Sequence, residues 1–277
     1  MLIRIGYDIS FNFTAPTAMT FLLYVLPSRA ADLRGPDQLT IEPAVPVTDF
    51  IDSFGNRCAR IVAPVGITRV CNDTIVEDTG VVLPECWDAI QHPVQDLPSE
   101  CLQFLLPSRY CEVDRLSDIA WQLFGDTPPG WARVQTICEW VNKHIEFGYQ
   151  YARPTKTAYE AYEERKGVCR DFTHLALTFC RALNIPARYA TGYLGDIGVP
   201  PDGATMDFSA CFQVYLGGQW HIFDSRHNIR RIGWILMATG RDAVDCAITT
   251  SFGTHILENF IVWADEVETA DLSVKKF

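Results

Sequence analysis

One cysteine stands where the chain passes from a loop into a predicted helix, and this position suits nucleophilic chemistry. Cys169 follows Lys166-Gly167-Val168 and begins a segment whose apolar residues have the spacing of a core-facing helix. These are Phe172, Leu175, Ala176, Phe179 and Leu183. Asn184 fits a left-handed helix end, and Pro186 blocks continuation. A thiol in a first helical turn meets unpaired N–H groups and the positive end of the dipole, so we expect a lowered pKa and a reactive thiolate.

The alternative is that Cys169 is a buried packing residue, like most of the nine other cysteines in the sequence. The ten cysteines form no C-x-x-C pair. The closest pairs, Cys101/Cys111 and Cys169/Cys180, are too far apart for a zinc finger or ribbon. We therefore predict neither a metal site nor a disulfide framework, and we expect most cysteines to pack as small apolar residues.

The elements around Cys169 predict an α+β unit. Helical patterns begin near Val113, and Thr157-Ala158-Tyr159-Glu160 has the form of a capping box. After the Cys169 helix the chain turns to strands over 187–193, 210–216 and 220–224, a helix-then-sheet order typical of α+β folds. Residues 194–203 are rich in Gly, Pro and Asp, and we expect either a lid over the site or a plain surface connector there.

The first hundred residues predict an antiparallel sandwich or barrel. Apolar residues alternate with polar ones at Ile3, Ile5, Tyr7, Ile9 and Phe11, the pattern of a half-buried strand. Further short strands separated by turn residues follow, with a hairpin around 52–56. We therefore predict two domains: a β-rich domain over 1–110, and an α+β domain over 111–277 that returns to β structure at its end.

Two ordered blocks resemble the transglutaminase-like cysteine enzymes. The first comprises Gly167 to Phe172, then Ala182 to Tyr189 and Thr191-Gly192-Tyr193; the second runs from Phe212 to Trp220 and continues at Phe223-Asp224. The resemblance is strong over 157–245, and the first hundred residues are similar to the β-rich region that precedes this domain in bacterial members. It implies a papain-like core with a Cys-bearing helix on an antiparallel sheet. It also implies Cys169 as nucleophile, Asp224 as the acid that orients a histidine, and no cofactor.

The histidine of that arrangement is missing from its expected place. The resemblance puts it just before Ala210, where this sequence has Ser209. A hydroxyl does not accept a proton near neutral pH as imidazole does. Another histidine could fill the role, the thiol could act with water alone, or the pocket could bind without catalysis.

Three histidines are candidates for the missing base. His227 follows Asp224 by three residues and reaches it if the chain bends at Ser225-Arg226. His221 lies on the opposite strand face from Asp224, and His174 lies about 140° around the helix from Cys169, so both suit packing better.

Composition excludes several classes of partner. The formal charge is -11 over 277 residues and no basic stripe is present, which argues against nucleic acid. The alternating N-terminus lacks the apolar run of a signal peptide, and no stretch has the length of a membrane span. We expect a cytoplasmic protein that acts on a protein or peptide and binds no membrane; nothing in the sequence specifies an oligomeric state.

These observations favour thiol-based acyl chemistry on peptide or isopeptide amides, by hydrolysis or by transfer to an amine. Water is the default acceptor, so we expect hydrolysis. The alternative is a catalytically impaired relative that uses the same cleft for binding, because of Ser209.

Overall fold

The computed structural model describes residues 1–201 and 205–268. Its strands are β1 (Leu2–Phe13), β2 (Thr17–Phe21), β3 (Thr40–Glu42), β4 (Thr48–Ile51), β5 (Arg57–Ala63), β6 (Gly66–Glu77), β7 (Glu146–Phe147), β8 (Lys166–Gly167), β9 (Ala187–Tyr193), β10 (Ser209–Leu216), β11 (Gln219–Phe223), β12 (Ile235–Gly240), β13 (Thr249–Ser251) and β14 (His255–Val267). Its α-helices are α1 (Ser99–Leu102), α2 (Val113–Phe124), α3 (Trp131–His144), α4 (Ala158–Glu164) and α5 (Cys169–Ala182). Of the predicted loop 194–203, residues 202 and 203 lie outside the described part.

Two four-stranded antiparallel sheets form the β-sandwich predicted for the N-terminal region. Their strand orders are β14-β1-β6-β3 and β13-β2-β5-β4. The alternating residues of β1 point inward and join a buried cluster with Met19 and Phe21 of β2 and with Ile61 of β5. Because apolar residues from both sheets share one cluster, the sheets face each other across a common core.

The last strands of the chain complete these N-terminal sheets. β14 pairs antiparallel with β1 from Leu2↔Val267 to Phe13↔His255, and β13 pairs with β2. The predicted β structure at the end of the chain is present, but it lies in the sheets of the first region, although the sequence placed it in domain 111–277. The sequence pattern of β14 predicts a strand but does not show which strand it pairs with. The predicted domain boundary at residue 110 therefore assigned β14 to the second domain.

The second unit is the predicted α+β core. Its sheet has the order β11-β10-β9-β12, and α5 packs against β9 and β10, with α2, α3 and α4 around it. Phe172, Leu175 and Phe179 of α5 are buried in a cluster with residues of these helices and strands. The capping box at Thr157 and Glu160 is present, and Asn184 has a φ of 61° just beyond α5, as predicted.

The bounds of three strands are not evident from the sequence pattern. β2 ends at Phe21, although apolar residues continue to Leu26. β6 runs unbroken through Asn72 and Asp73, because Asn72 donates to Asp37 and Asp73 pairs with Arg4. β12 was not predicted, since its short apolar run lacks alternation; all six of its residues are buried.

None of the described helices combines the length and the apolar character that crossing a bilayer requires.

Candidate active site

Cys169 occupies the first turn of α5, where its neighbours hold the helix start in place. Val168 is extended, and its N–H donates to Asp171 Oδ2 at 2.9 Å. Arg170 pairs with the same carboxylate at 3.2 Å. Asp171 therefore caps the helix and leaves the cysteine free for other contacts.

The residue Cys169 is partly exposed, and its thiol lies beside the backbone N–H of Ala210 in β10. Burial raises the pKa of this thiol to about 11, and the nearby Asp207 and Asp224 act in the same direction. Ala210 and Arg226 act in the opposite direction without reversing the shift. The predicted lowering of the pKa is therefore wrong, because desolvation by tertiary contacts outweighs the favourable helix end.

Asp224 follows β11 directly and organises a tight turn. Its Oδ1 accepts the backbone N–H groups of Arg226 at 2.9 Å and His227 at 3.1 Å. Its Oδ2 lies 2.6 Å from His227 Nδ1. The turn curls His227 back onto the carboxylate, so one aspartate both shapes the loop and holds an imidazole.

The second ring nitrogen of His227 contacts the Arg226 guanidinium. The Asp224 carboxylate only accepts hydrogen bonds, so the proton lies on Nδ1, facing Asp224, and Nε2 keeps its lone pair. This is the tautomer that a general base needs. Arg226 itself packs over Phe147, with its central carbon 4.1 Å from the ring centroid.

A small cavity brings the predicted residues together. Its volume is about 90 Å³, and Cys169, Ser209, Asp207, Arg226 and His227 all contribute to its lining. Ser209 begins β10 opposite Gly192 of β9. Asp224 joins this group through its contact with His227.

The other two candidate histidines are used for packing, as their positions predict. His174 is fully buried, accepts the N–H of Ala243 at 3.1 Å and stacks on Tyr110. His221 contacts the carbonyl oxygen of Leu216 at 3.2 Å and packs edge-on against Trp131.

Asp207 is a site residue that the sequence reasoning missed. It contributes to the small cavity and to a larger neighbouring cleft, and its Oδ1 accepts the N–H of Phe208 at 2.7 Å. Burial raises the pKa of its carboxyl group. Its spacing of two residues before Ser209 was the available signal, because such residues share a face on an extended chain.

The larger cleft has a volume of about 510 Å³ and also opens on Cys169. Residues of both units form its walls. Within residues 1–201 and 205–268, no group of three or more His, Cys, Asp or Glu side chains is arranged to hold a metal ion.

A family model matches the core of this chain, and one solved structure is similar to it over the whole length. The family model of the transglutaminase-like superfamily matches residues 118–225. The crystal structure of a candidate cysteine protease from Cytophaga hutchinsonii is 32% identical, with a TM-score of 0.82, covering 100% of this chain and 94% of that one. An uncharacterized protein of Mycobacterium leprae (strain TN) is 26% identical over 215 residues, 74% of this chain and 75% of its own. The periplasmic domain of TgpA from Pseudomonas aeruginosa is 15% identical, with a TM-score of 0.41, over 81% of this chain and 88% of that one.

Proposed function

Because this chain belongs to the transglutaminase-like superfamily, we propose that it breaks or exchanges amide bonds through a thioester on Cys169. Its substrate is a peptide or isopeptide amide, and water is the acyl acceptor. The candidate cysteine protease that it resembles over its full length supports this class of chemistry.

One observation carries the assignment of the base. His227 Nδ1 lies 2.6 Å from Asp224 Oδ2, and His227 lines the same small cavity as the Cys169 sulfur. A nucleophile, an imidazole and an orienting carboxylate are the three groups of a cysteine hydrolase. His227 therefore acts as the general base, a role that the Ser209 hydroxyl cannot fill.

The high pKa of Cys169 determines how this base acts. With a pKa of about 11 the resting thiol is protonated at neutral pH. The sulfur therefore attacks the substrate carbonyl carbon while His227 Nε2 takes its proton, and no thiolate–imidazolium pair exists beforehand. Asp224 then stabilises the imidazolium.

The remaining steps return every group to its starting state. The carbon–nitrogen bond breaks, the leaving amine takes the proton from His227, and a thioester remains on Cys169. His227 next removes a proton from water, whose oxygen attacks the thioester. The carbon–sulfur bond breaks, the acid leaves, and the sulfur recovers a proton. The backbone N–H of Cys169 is the donor proposed for the oxyanion.

Acylation of Cys169 by a p-nitrophenyl ester of an N-acyl amino acid tests the assignment, with mass spectrometry of the Cys169 peptide as readout. Cys169→Ala gives the background. We expect His227→Gln to slow acylation by roughly 10²–10⁴-fold, the usual contribution of a general base. Ser209→His should change the rate little. A large gain in Ser209→His with no loss in His227→Gln would contradict the role of His227.

A second candidate function is supported by Ser209 and by the high pKa of Cys169: binding of a peptide in the same cleft without turnover. It predicts no acyl-enzyme on Cys169 in the wild-type protein. It also predicts that Cys169→Ala binds peptide as tightly as the wild type, which titration calorimetry measures.

The cytoplasm is the proposed location. Fractionation of cells that express the full chain, with detection by antibody, checks this against export.

A further inference from the structure

The 510 Å³ cleft beside Cys169 is built by both units of the molecule. Cys169 and Ala210 of the α+β core contribute to its lining, and so do Phe11 of β1 and Leu257 and Phe260 of β14. Its volume lies within the ~300–1,000 Å³ typical of small-ligand pockets. The sandwich therefore supplies part of the wall of the cleft through which a ligand approaches Cys169.

A β-bulge in β14 determines which of its side chains face the cleft. Residues of β1 and β14 pair one-to-one up to Ser10↔Asn259, but the next pair is Phe11↔Leu257, so Glu258 is an extra residue. In a regular strand Leu257 and Phe260 would point to opposite faces. The extra residue reverses this, and both side chains line the cleft.

The re-aimed leucine offers apolar surface to a ligand. Leu257 is 52% exposed although it lines a cleft, and its neighbours Ile9 and Phe11 are buried. The apolar core of the sandwich thus continues into the cleft, where the Leu257 side chain remains exposed to solvent. Contact with a second apolar group would remove this surface from water.

Among the titratable groups of the described lining, the two arginines are already paired, and the His255 ring packs against Phe11 and Phe13. Arg153 pairs with Glu160 and Glu164, both at 2.9 Å. Arg170 pairs with Asp171 at 3.2 Å. Burial favours the neutral form of Asp207 by raising the pKa of its carboxyl group. A charged ligand would lose its water here and meet arginines that are already paired, whereas an uncharged apolar ligand has no such desolvation cost.

We propose that this cleft selects substrates with a bulky, uncharged apolar side chain next to the reacting amide, and that Leu257 and Phe260 set this preference. The proposal rests on the proposed function, because it names the substrate class of the same sulfur.

Alkylation of Cys169 by matched chloroacetamides measures the preference without any need for turnover. The full-length protein is treated with N-benzyl-, N-methyl- and N-carboxymethyl-chloroacetamide, and labelling of the Cys169 peptide is followed by mass spectrometry. We expect the benzyl reagent to react on the order of tenfold faster than the methyl reagent, from burial of the ring. The carboxymethyl reagent should be slowest. Equal rates for benzyl and methyl would overturn the proposal.

Two adjacent substitutions give a matched comparison. Leu257→Asp introduces a charge into the cleft wall, and Ile256→Asp introduces the same charge one residue away, at a side chain that is 63% exposed. The benzyl-to-methyl ratio should fall roughly fivefold or more in Leu257→Asp, because the buried apolar contact is lost, and should keep its value in Ile256→Asp. The same ratio in both variants would contradict the assignment of Leu257.

Failure of catalysis and failure of selection are distinguishable. If the protein prefers the benzyl reagent but never forms an acyl-enzyme, the proposed selectivity of the cleft is supported and the proposed reaction is contradicted. If no reagent reaches Cys169, NMR shifts of the Leu257 methyl groups are measured with N-acetyl-phenylalaninamide and N-acetyl-glycinamide. Shifts with the phenylalanine compound alone support the proposal, and shifts with neither overturn it.

Discussion

Two effects oppose each other at the Cys169 sulfur. The helix start, the Ala210 N–H and Arg226 favour a thiolate, whereas burial favours the thiol and prevails. Sequence reasoning could find the nucleophile, since a cysteine at a loop-to-helix junction is visible in the motif. It could not give the direction of the pKa shift, because desolvation depends on tertiary contacts made by β10 and the turn after β11.

This balance predicts the pH dependence of Cys169 alkylation by iodoacetamide. The rate for the folded protein should rise with pH toward an inflection near pH 11, with no plateau below pH 9. The folded-state pKa lies above the ordinary thiol value of 9.0, so the associated stability is fully present below pH 9 and is lost as the pH rises through about 11. Peptide-resolved mass spectrometry measures the rate. An inflection near pH 7 would show that the resting sulfur is already ionised.

Asp224→Asn tests whether the carboxylate sets the tautomer of His227. An amide N–H at the Oδ2 position would donate to Nδ1, move the ring proton to Nε2 and remove the base. We expect acylation of Cys169 to fall by roughly 10²–10⁴-fold. The melting temperature should change little, because the remaining oxygen still accepts the N–H groups of Arg226 and His227. A large loss of stability with unchanged chemistry would leave Asp224 as a turn residue alone.

At the scale of elements, the ends of α5 illustrate what sequence can and cannot reveal. The apolar stripe and the left-handed Asn184 were predictable, since both depend on local backbone preferences. The bulge at Glu258 was not, because the sequence of β14 looks the same with or without an extra residue. His227 was an open candidate for the same reason: its contact with Asp224 depends on how the turn closes.

A side chain added at Gly167, just before the helix, should disturb the position of the Cys169 sulfur. A Cβ at this position would lie 2.6 Å from Asp171 Cβ and 2.7 Å from its Oδ2, the atom that caps Val168. Gly167→Ala should therefore displace the cap, lower the free energy of unfolding by about 1–2 kcal/mol and slow acylation of Cys169. Urea unfolding and the ester assay measure the two effects. Unchanged values in both would mean that the helix start tolerates the methyl group.

At the scale of the molecule, one buried side chain joins the sandwich to the core. Asn56, in the turn between β4 and β5, donates to the Thr239 carbonyl oxygen and accepts the Thr239 N–H, each at 2.9 Å. Thr239 belongs to β12, so this pair of bonds holds the two units in contact. The sequence showed Asn56 only as a turn residue.

Asn56→Ala should leave both backbone groups of Thr239 without these partners and cost roughly 2–4 kcal/mol of unfolding free energy. Asn12→Ala is the matched control, because the hydrogen bond that the Asn12 side chain donates to Glu258 is exposed; this substitution should cost less than about 0.5 kcal/mol. Chemical denaturation of both variants checks this. Equal stability of the two would mean that Asn56 contributes nothing to holding the units together.

The pairing of β14 with β1 also has a consequence for biosynthesis. On a translating ribosome β1 emerges well before β14, and synthesis proceeds at roughly 5–20 residues per second, so the edge of β1 that pairs with β14 stays unpaired for on the order of tens of seconds. Leu257 and Phe260 arrive with β14, which means that the nascent chain carries its thiol before it has a complete wall to guide a peptide toward it. The proposed selectivity is thus acquired later in translation than the nucleophile.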